Sequence, residues 1–308
     1  MLRYVVQRLG GSLLVLWVIV TLAFFLMRLA PGGPFDLERT LPLDVQKNIA
    51  HKYHLDEPLL TQYLRYISDI AMHGDLGPSY KYADRSVNDF IADGLPITLQ
   101  LGTLALTFAL VFGLTFGIVA ALRHNTAWDY VAMGLAIAGV SIPNFVVGPL
   151  LQYLFGLKLG WVPIAGWDTP SAVLLPSLTL GVVYAASIAR LARGGMLEVL
   201  GQDYIRTARA KGLRERVIIV RHMLRGGLLP VISYLGPAVA FLLSGSLVVE
   251  KIFNIPGLGR HFVQSALNRD YTVTLGMVIF FSGLILACNL CVDLLYLLID
   301  PRVREATR

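Results

Sequence analysis

Charged residues are scarce in this sequence. Only 15% of its 308 residues are charged, against about a quarter in typical soluble proteins, whereas 56% are hydrophobic. A soluble chain of this length needs more polar surface to cover its core. The composition therefore argues against a soluble domain and indicates a membrane protein. Although the net charge is +6, the basic residues cluster by membrane side, so we expect no nucleic-acid partner.

Cysteine is also nearly absent, and the two cysteines present, Cys288 and Cys291, form a C-x-x-C spacing. Such a pair can serve redox or metal chemistry, but both lie inside an apolar run without a second cysteine pair. A helical i, i+3 pair is poorly shaped for a disulfide, so helix packing is favoured. His51 and His54 lack acidic or cysteine partners at ligand spacing. We expect no metal and no cofactor.

The motifs of catalysis and nucleotide binding are missing. The sequence contains no G-x-x-x-x-G-K-[ST], H-E-x-x-H or G-x-S-x-G pattern. We therefore expect that the chain is not an enzyme and that any ATP is bound by another subunit. It also lacks the ladder of intramembrane charges that an ion-coupled pump needs. Asp293 is the one acid well inside an apolar run, either lining a path or, as favoured here, lying near a helix end.

Six apolar stretches are long enough to cross a bilayer, which requires about 20 residues in a helix. The first carries no charge and no signal-peptide cleavage site, so it is predicted to remain attached. In the second, Gly113 and Gly117 form a small-x-x-x-small face that predicts close helix contact. Pro143 and Pro149 interrupt the third. The predicted spans are residues 9–27, 96–122, 130–157, 173–189, 228–249 and 273–299.

The basic residues predict the orientation of these spans, because Lys and Arg near span ends are retained in the cytoplasm. They precede span one, follow span two, crowd the connection between spans four and five, and end the chain. Both termini are therefore predicted to be cytoplasmic. The most basic connection, residues 190–230, contains Arg190, Arg193, Arg206, Arg209, Lys211, Arg214, Arg216, Arg221 and Arg225.

The long connection after span one is polar and more acidic than basic, which places it outside the cell. Residues 58–71 are predicted to form a helix with one apolar face, lying on the membrane or on neighbouring spans. That face carries Leu60, Leu64, Ile67 and Ala71. Residues 86–93 predict another short helix, with Ser86 as N-cap and Asp89 at its third position.

Within the basic connection, residues 203–212 predict a short helix of their own. Asp203 is the expected N-cap and Gly212 the expected stop. Ala208, Ala210 and Gly212 form a small surface that would let the helix fit a groove of another protein. A basic loop can also be only a marker of topology with some lipid contact, and both readings stay open on these residues alone.

Short segments along nearly the whole chain match one known family. In the basic connection they are YIRTARAKGL (204–213), RH (221–222) and LLP (228–230), and elsewhere they are MRLAPG (27–32), KYHLDEP (52–58), GDLG (74–77), IPGLG (255–259) and DP (300–301). By these segments the sequence resembles the permeases of ABC importers in the peptide and nickel branch. Two outer segments, ERTLP (38–42) and YADRSVN (82–88), are most similar to B-type permeases of bacterial oligopeptide importers.

The resemblance implies an all-α fold, that of an ABC type I importer permease with six transmembrane helices. It implies an N-terminal transmembrane helix at 1–30, an outer segment at 31–94, a permease core at 95–300 with the coupling loop at about 190–230, and a cytoplasmic tail at 301–308. The short loop helix would then be the coupling helix that docks on an ATPase. Its residues are Asp203, Arg206, Thr207, Ala208, Arg209, Ala210, Lys211 and Gly212.

The function implied is that of a pore subunit importing oligopeptides across the bacterial inner membrane. The implied partners are a second permease, two cytoplasmic ATPases that bind ATP and Mg, an extracytoplasmic peptide-binding protein and the lipid bilayer. The broader family has Glu-Ala-Ala before the glycine, where this chain has Arg206-Thr-Ala208. Dipeptides, nickel or another small solute are alternative substrates, and a stand-alone secondary transporter is the alternative from another class.

Overall fold

The computed structural model describes residues 2–29, 51, 54–82 and 84–299, and this part of the chain is helical without β-strands. The predicted tail 301–308 and residues 31–50 of the predicted outer segment lie outside the described residues. The helices are α1 (Leu2–Leu29), α2 (Leu59–His73), α3 (Val87–Leu122), α4 (Ala127–Ser141), α5 (Asn144–Leu151), α6 (Leu174–Leu200), α7 (Asp203–Ala210), α8 (Glu215–Gly227), α9 (Leu229–Ile252), α10 (Leu258–Leu267) and α11 (Tyr271–Ile299).

The helices that can cross a membrane agree with the predicted all-α polytopic fold. Four are long and apolar enough by themselves: α1, α3, α6 and α11. Two more spans result if each of two bent pairs counts as one. The first pair, α4 and α5 with its π-helical extension to Lys158, bends by 106°, and the second, α8 and the start of α9, bends by 52°. The orientation of the termini stays a prediction.

Helix α3 corrects one predicted boundary. The expected short helix at 86–93 is not separate, because α3 continues for 36 residues through Pro96 to Leu122. The predicted cap is confirmed: Ser86 Oγ accepts from the Asp89 amide, and Asp89 Oδ2 accepts from the Ser86 amide at 2.8 Å. Proline removes a single backbone hydrogen bond, and buried Thr98 and Leu101 in the next turn hold the helix together.

Helix α6 corrects another boundary, since the fourth predicted span ends at residue 189 whereas the helix continues to Leu200. Arg190 and Arg193 therefore lie in a helix and not in the basic connection. The reason is that buried residues continue one apolar face past these charges, namely Ala192, Gly195, Met196 and Val199.

Helices α3 and α6 pack closely along a face of small residues. A Cβ atom on Gly117 would lie 2.5 Å from the Ala189 carbonyl oxygen, and one on Gly113 would lie 2.7 Å from that of Ala185. From the other side, Gly181 approaches the Ala105 carbonyl in the same way. The close contact predicted at Gly113 and Gly117 is thus confirmed.

Helix α2 packs on the C-terminal half of α1 through its aromatic face. Tyr63 is buried, its hydroxyl lies 2.7 Å from Thr21 Oγ1, and its ring contacts Phe24. Leu60 and Leu64, members of the predicted apolar face, are exposed on the other side. The helix therefore contacts a neighbouring span with one face and leaves apolar side chains of the other face free to meet lipid.

Replacing Gly117 by Ala should destabilise the protein, because the new methyl group overlaps the backbone of α6. Overpacking of this kind costs about 1–3 kcal/mol. Gly134→Ala is the matched control, since a Cβ there meets nothing within 4 Å and alanine favours the helix. Thermal unfolding in detergent should show a lower midpoint for Gly117→Ala and an unchanged or higher one for Gly134→Ala. Equal midpoints would contradict the packing.

Candidate functional site

The predicted loop helix is present as α7, between α6 and α8. Its N-cap is Gln202 and not Asp203, so that part of the prediction is wrong. Asp203 is the first helical residue, where its negative charge favours the positive end of the helix. The predicted stop is confirmed, because Gly212 has a left-handed φ of 73° and its amide donates to the Arg209 carbonyl at 2.9 Å.

The inner face of α7 is anchored in the bundle by Ile205 and Ala208. Ile205 is fully buried and Ala208 is 6% exposed. Ala208 therefore faces the bundle and is not part of an exposed docking surface, as its spacing of three residues from Ile205 places both on one side. Their neighbours come from the ends of α3, α6 and α8: Ala121, Met196, Val199, Ile218 and Met223.

The outer face of α7 is exposed and mostly basic. Arg206 lies 3.5 Å from Asp203, and both are largely exposed. Arg209 donates from Nε to Glu215 Oε1 at 2.8 Å, which joins α7 to the start of α8. Such surface pairs contribute little stability. The remaining predicted site residues exposed here are Thr207, Ala210, Lys211 and Gly212.

Two glycines below α7 bring α6 and α8 into backbone contact. A Cβ atom on Gly195 would overlap the Gly227 carbonyl, and one on Gly227 would lie 2.7 Å from Met196 Sδ. Sequence reasoning missed this contact, although each glycine stands in a Gly-Gly pair within a basic segment. Because no side chains separate the two backbones, a displacement of α8 also displaces α6.

An ion pair between a buried aspartate and a partly exposed arginine joins α4 to α6 near the same end of the bundle. Arg193 donates from Nε to Asp129 Oδ1 at 2.6 Å and from Nη2 to Asp129 Oδ2 at 2.8 Å. The Asn125 amide also donates to this carboxylate, and His124 Nδ1 lies 3.2 Å away. Arg193 thus holds the start of α4 against α6. On α6, Arg193 lies one turn before Met196, which contacts α7.

Comparison with known proteins identifies the family. Residues 113–305 match the model of the binding-protein-dependent transport system inner membrane component, and residues 1–102 match the N-terminal model of such membrane components. The chain belongs to this family of permeases. Curated relatives include the oligopeptide transport system permease protein OppB of Escherichia coli (strain K12), 49% identical over 306 residues, covering 99% of this chain and 100% of that one.

Other relatives agree with this assignment. The dipeptide transport system permease protein DppB of Bacillus subtilis (strain 168) is 47% identical over 304 residues, covering 99% of this permease and 98% of that protein. A chain of the inward-facing MetNI methionine ABC transporter superposes with a TM-score of 0.60 at 18% identity, covering 68% of this permease and 96% of that chain. This likeness confirms the predicted ABC importer permease fold.

A second polar cluster of the permease was missed by sequence reasoning. It lies at the C-terminal end of α9. Glu250 is fully buried, and its Oε1 accepts from Thr98 Oγ1 at 2.9 Å and from Ser246 Oγ at 2.7 Å. Its Oε2 accepts from the backbone amides of Gly259 at 2.7 Å and Arg260 at 3.3 Å. Glu250 therefore holds the first turn of α10.

This cluster explains the glycines of the IPGLG segment. A Cβ atom on Gly257 would overlap the Glu250 carboxylate, and one on Gly259 would lie 2.6 Å from the Leu247 Cα atom. The glycines let the chain pass close to a buried charge, which needs its full set of donors. An isolated glutamate next to this segment was the signal in the sequence.

The structure also describes the other residues noted in the sequence, namely an acid, two cysteines and a histidine. Asp293 forms an ion pair of 3.1 Å with Arg8 on α1, so it joins α1 to α11. Cys288 and Cys291 are free thiols. His54 pairs with Glu57. Over the described ranges, no three His, Cys, Asp or Glu side chains are grouped to hold a metal ion.

Glu250→Gln should loosen the start of α10, because an amide NH2 group would face backbone donors that now meet a carboxylate. Each lost hydrogen bond to a charged group costs about 1.5–3 kcal/mol. Hydrogen–deuterium exchange should show faster exchange at residues 257–262. The control is Glu198→Gln, at an exposed glutamate of α6, which should leave that segment unchanged. Unaltered exchange in Glu250→Gln would contradict the assigned role.

Proposed function

We propose that this permease is one of two pore subunits of an ATP-driven ABC importer that moves oligopeptides across the bacterial inner membrane. It works with a second homologous permease, two cytoplasmic ATPases and an extracytoplasmic peptide-binding protein. The observation that carries the proposal is its 49% identity, along the full length, to an oligopeptide transport permease. ATP and Mg are bound by the ATPases.

The ATPase docks on the exposed face of α7, where Arg206, Ala210 and Lys211 are accessible. A helix that lies in a groove of its partner transmits a push only if its other face is fixed. Ile205 and Ala208 supply that attachment. Closure of the ATPase dimer on binding ATP draws the two docked helices together and opens the bundle to the outside.

Closely packed backbone contacts connect α7 to the end of the bundle that is predicted to face outside. The contact of Gly195 with Gly227 passes movement between α6 and α8, and α8 leads directly into α9. The Asp129–Arg193 ion pair links α4 to α6, so that the two helices move together. At the far end of α9, Glu250 holds α10. One displacement at α7 thus reaches both ends of the bundle.

A dipeptide importer is the main alternative, since the DppB protein of Bacillus subtilis is 47% identical; nickel or another small solute is the alternative implied by the branch. Uptake of peptides of graded length by a deletion strain separates these. Unimpaired uptake of tri- to pentapeptides would contradict the oligopeptide assignment. For a stand-alone secondary transporter, the decisive result would be ion-driven peptide uptake by this chain reconstituted alone.

Ala210→Trp should release the ATPases, because the indole projects from the exposed face of α7 into the docking groove. Ala208→Trp instead displaces α7 from the bundle, and it should lower the thermal stability of the permease as well. Ala266→Trp, at an exposed alanine of α10, is the matched control. Co-purification of the ATPases should fall about tenfold or more in Ala210→Trp.

In the same comparison, the thermal unfolding of Ala210→Trp should equal that of the unmodified permease, and Ala266→Trp should retain its ATPases. Full ATPase retention by Ala210→Trp would contradict docking on this face.

A further inference from the structure

A polar cavity of about 370 Å³ lies between the start of α3, α10 and the start of α11. It is at the end of the bundle predicted to face outside, away from α7. The polar side chains that line it come from three segments: the stretch before α3, α10, and the connection between α10 and α11. They are Tyr82, Arg85, Arg260, His261, Gln264, Ser265, Asn268 and Asp270.

Arg85 and Arg260 are the two cationic side chains that line this cavity. Arg85 forms an ion pair with Asp93 and lies over the Phe90 ring. Asp270 is the one acidic residue among the lining residues, and its buried carboxylate is directed to Ser79 Oγ and the Tyr80 amide, which donate to it. Arg260 forms no ion pair with any acidic side chain in the described part of the chain.

His261 lines the cavity beside these two arginines. Burial lowers the pKa of its imidazole, and the charges of Arg85 and Arg260 lower it further, against a smaller opposing effect of Asp93. The ring is held against Phe90 at 5.1 Å between centroids. It is therefore a neutral hydrogen-bonding group beside a cation, an arrangement that favours an anionic guest.

We propose that this cavity binds the C-terminal carboxylate of a peptide as it enters the permease, with Arg260 as the cationic partner. The inference rests on the proposed peptide-import function. A guanidinium offers two parallel donors to a carboxylate. The concave shape and volume fit a small ligand, for which pockets hold about 300–1,000 Å³, better than they fit the flat docking surface of a protein.

The position of Arg260 connects the cavity to the bundle. Its own backbone amide and that of Gly259 donate to Glu250 Oε2. A carboxylate bound by the Arg260 side chain therefore acts on the turn that is fixed to α9. Binding of peptide at the outer end and movement of α9 are linked by this turn.

The test uses the complete importer with its ATPases and binding protein in proteoliposomes. Uptake is measured for tetra-alanine and for its C-terminal amide, each loaded to saturation on the binding protein. The unmodified importer should favour the acid by about tenfold, the loss expected for a missing charge-assisted contact. Arg260→Gln should bring the ratio close to one by lowering uptake of the acid, and Arg260→Lys should retain part of it.

Arg269→Gln is the matched control, because it removes a positive charge at the same end of the bundle from a residue that does not line the cavity. It should leave the ratio unchanged. An unchanged ratio in Arg260→Gln would overturn the inference. So would equal loss of both peptides together with weaker attachment of the peptide-free binding protein, which would assign Arg260 to that protein instead.

The same experiment tests the proposed function separately from the carboxylate site. It is wrong if the unmodified importer takes up neither peptide with ATP. If it takes up both equally, only the carboxylate site is wrong.

Discussion

Ile205 and Ala208 attach α7 to the ends of α3, α6 and α8, and the proposed coupling depends on this contact. A helix of eight residues is too short to be stable alone in water. Burying the isoleucine side chain contributes about 1.5–3 kcal/mol toward holding α7 on the bundle. The basic outer face then has a defined position from which a partner can move the helices beneath it.

From this attachment, rigid contacts lead through the molecule. Gly113 and Gly117 bring α3 against the backbone of α6, and Gly195 brings α6 against α8. Close-packed backbone transmits displacement because no flexible side chain takes it up. Glu250 ends this path by holding α10 beside the cavity that Arg260 lines. Buried charge is costly unless it is fully hydrogen-bonded, so this junction has one favoured geometry.

Local signals in the sequence predicted the spans, the Ser86 cap, the close contact of Gly113 and Gly117, and the stop at Gly212. Contacts between distant residues were not predictable in this way. Asp129 meets Arg193 across 64 positions, and Glu250 meets Thr98 across 152. Which side of α7 Ala208 faces likewise depends on the neighbours that cover it. Helix α6 extends beyond its predicted end because its packing continues past Arg190 and Arg193.

The most direct test of the coupling account is the distance between spin labels at Arg190 on α6 and Lys211 beside α7, after replacement of Cys288 and Cys291. Pulsed electron resonance would compare the complete importer with and without bound ATP. If α7 moves with the bundle as one body, the distance distribution stays the same in both states. A shift of about one helical turn, ~5.4 Å, would show that α7 slides over the bundle and would contradict the account.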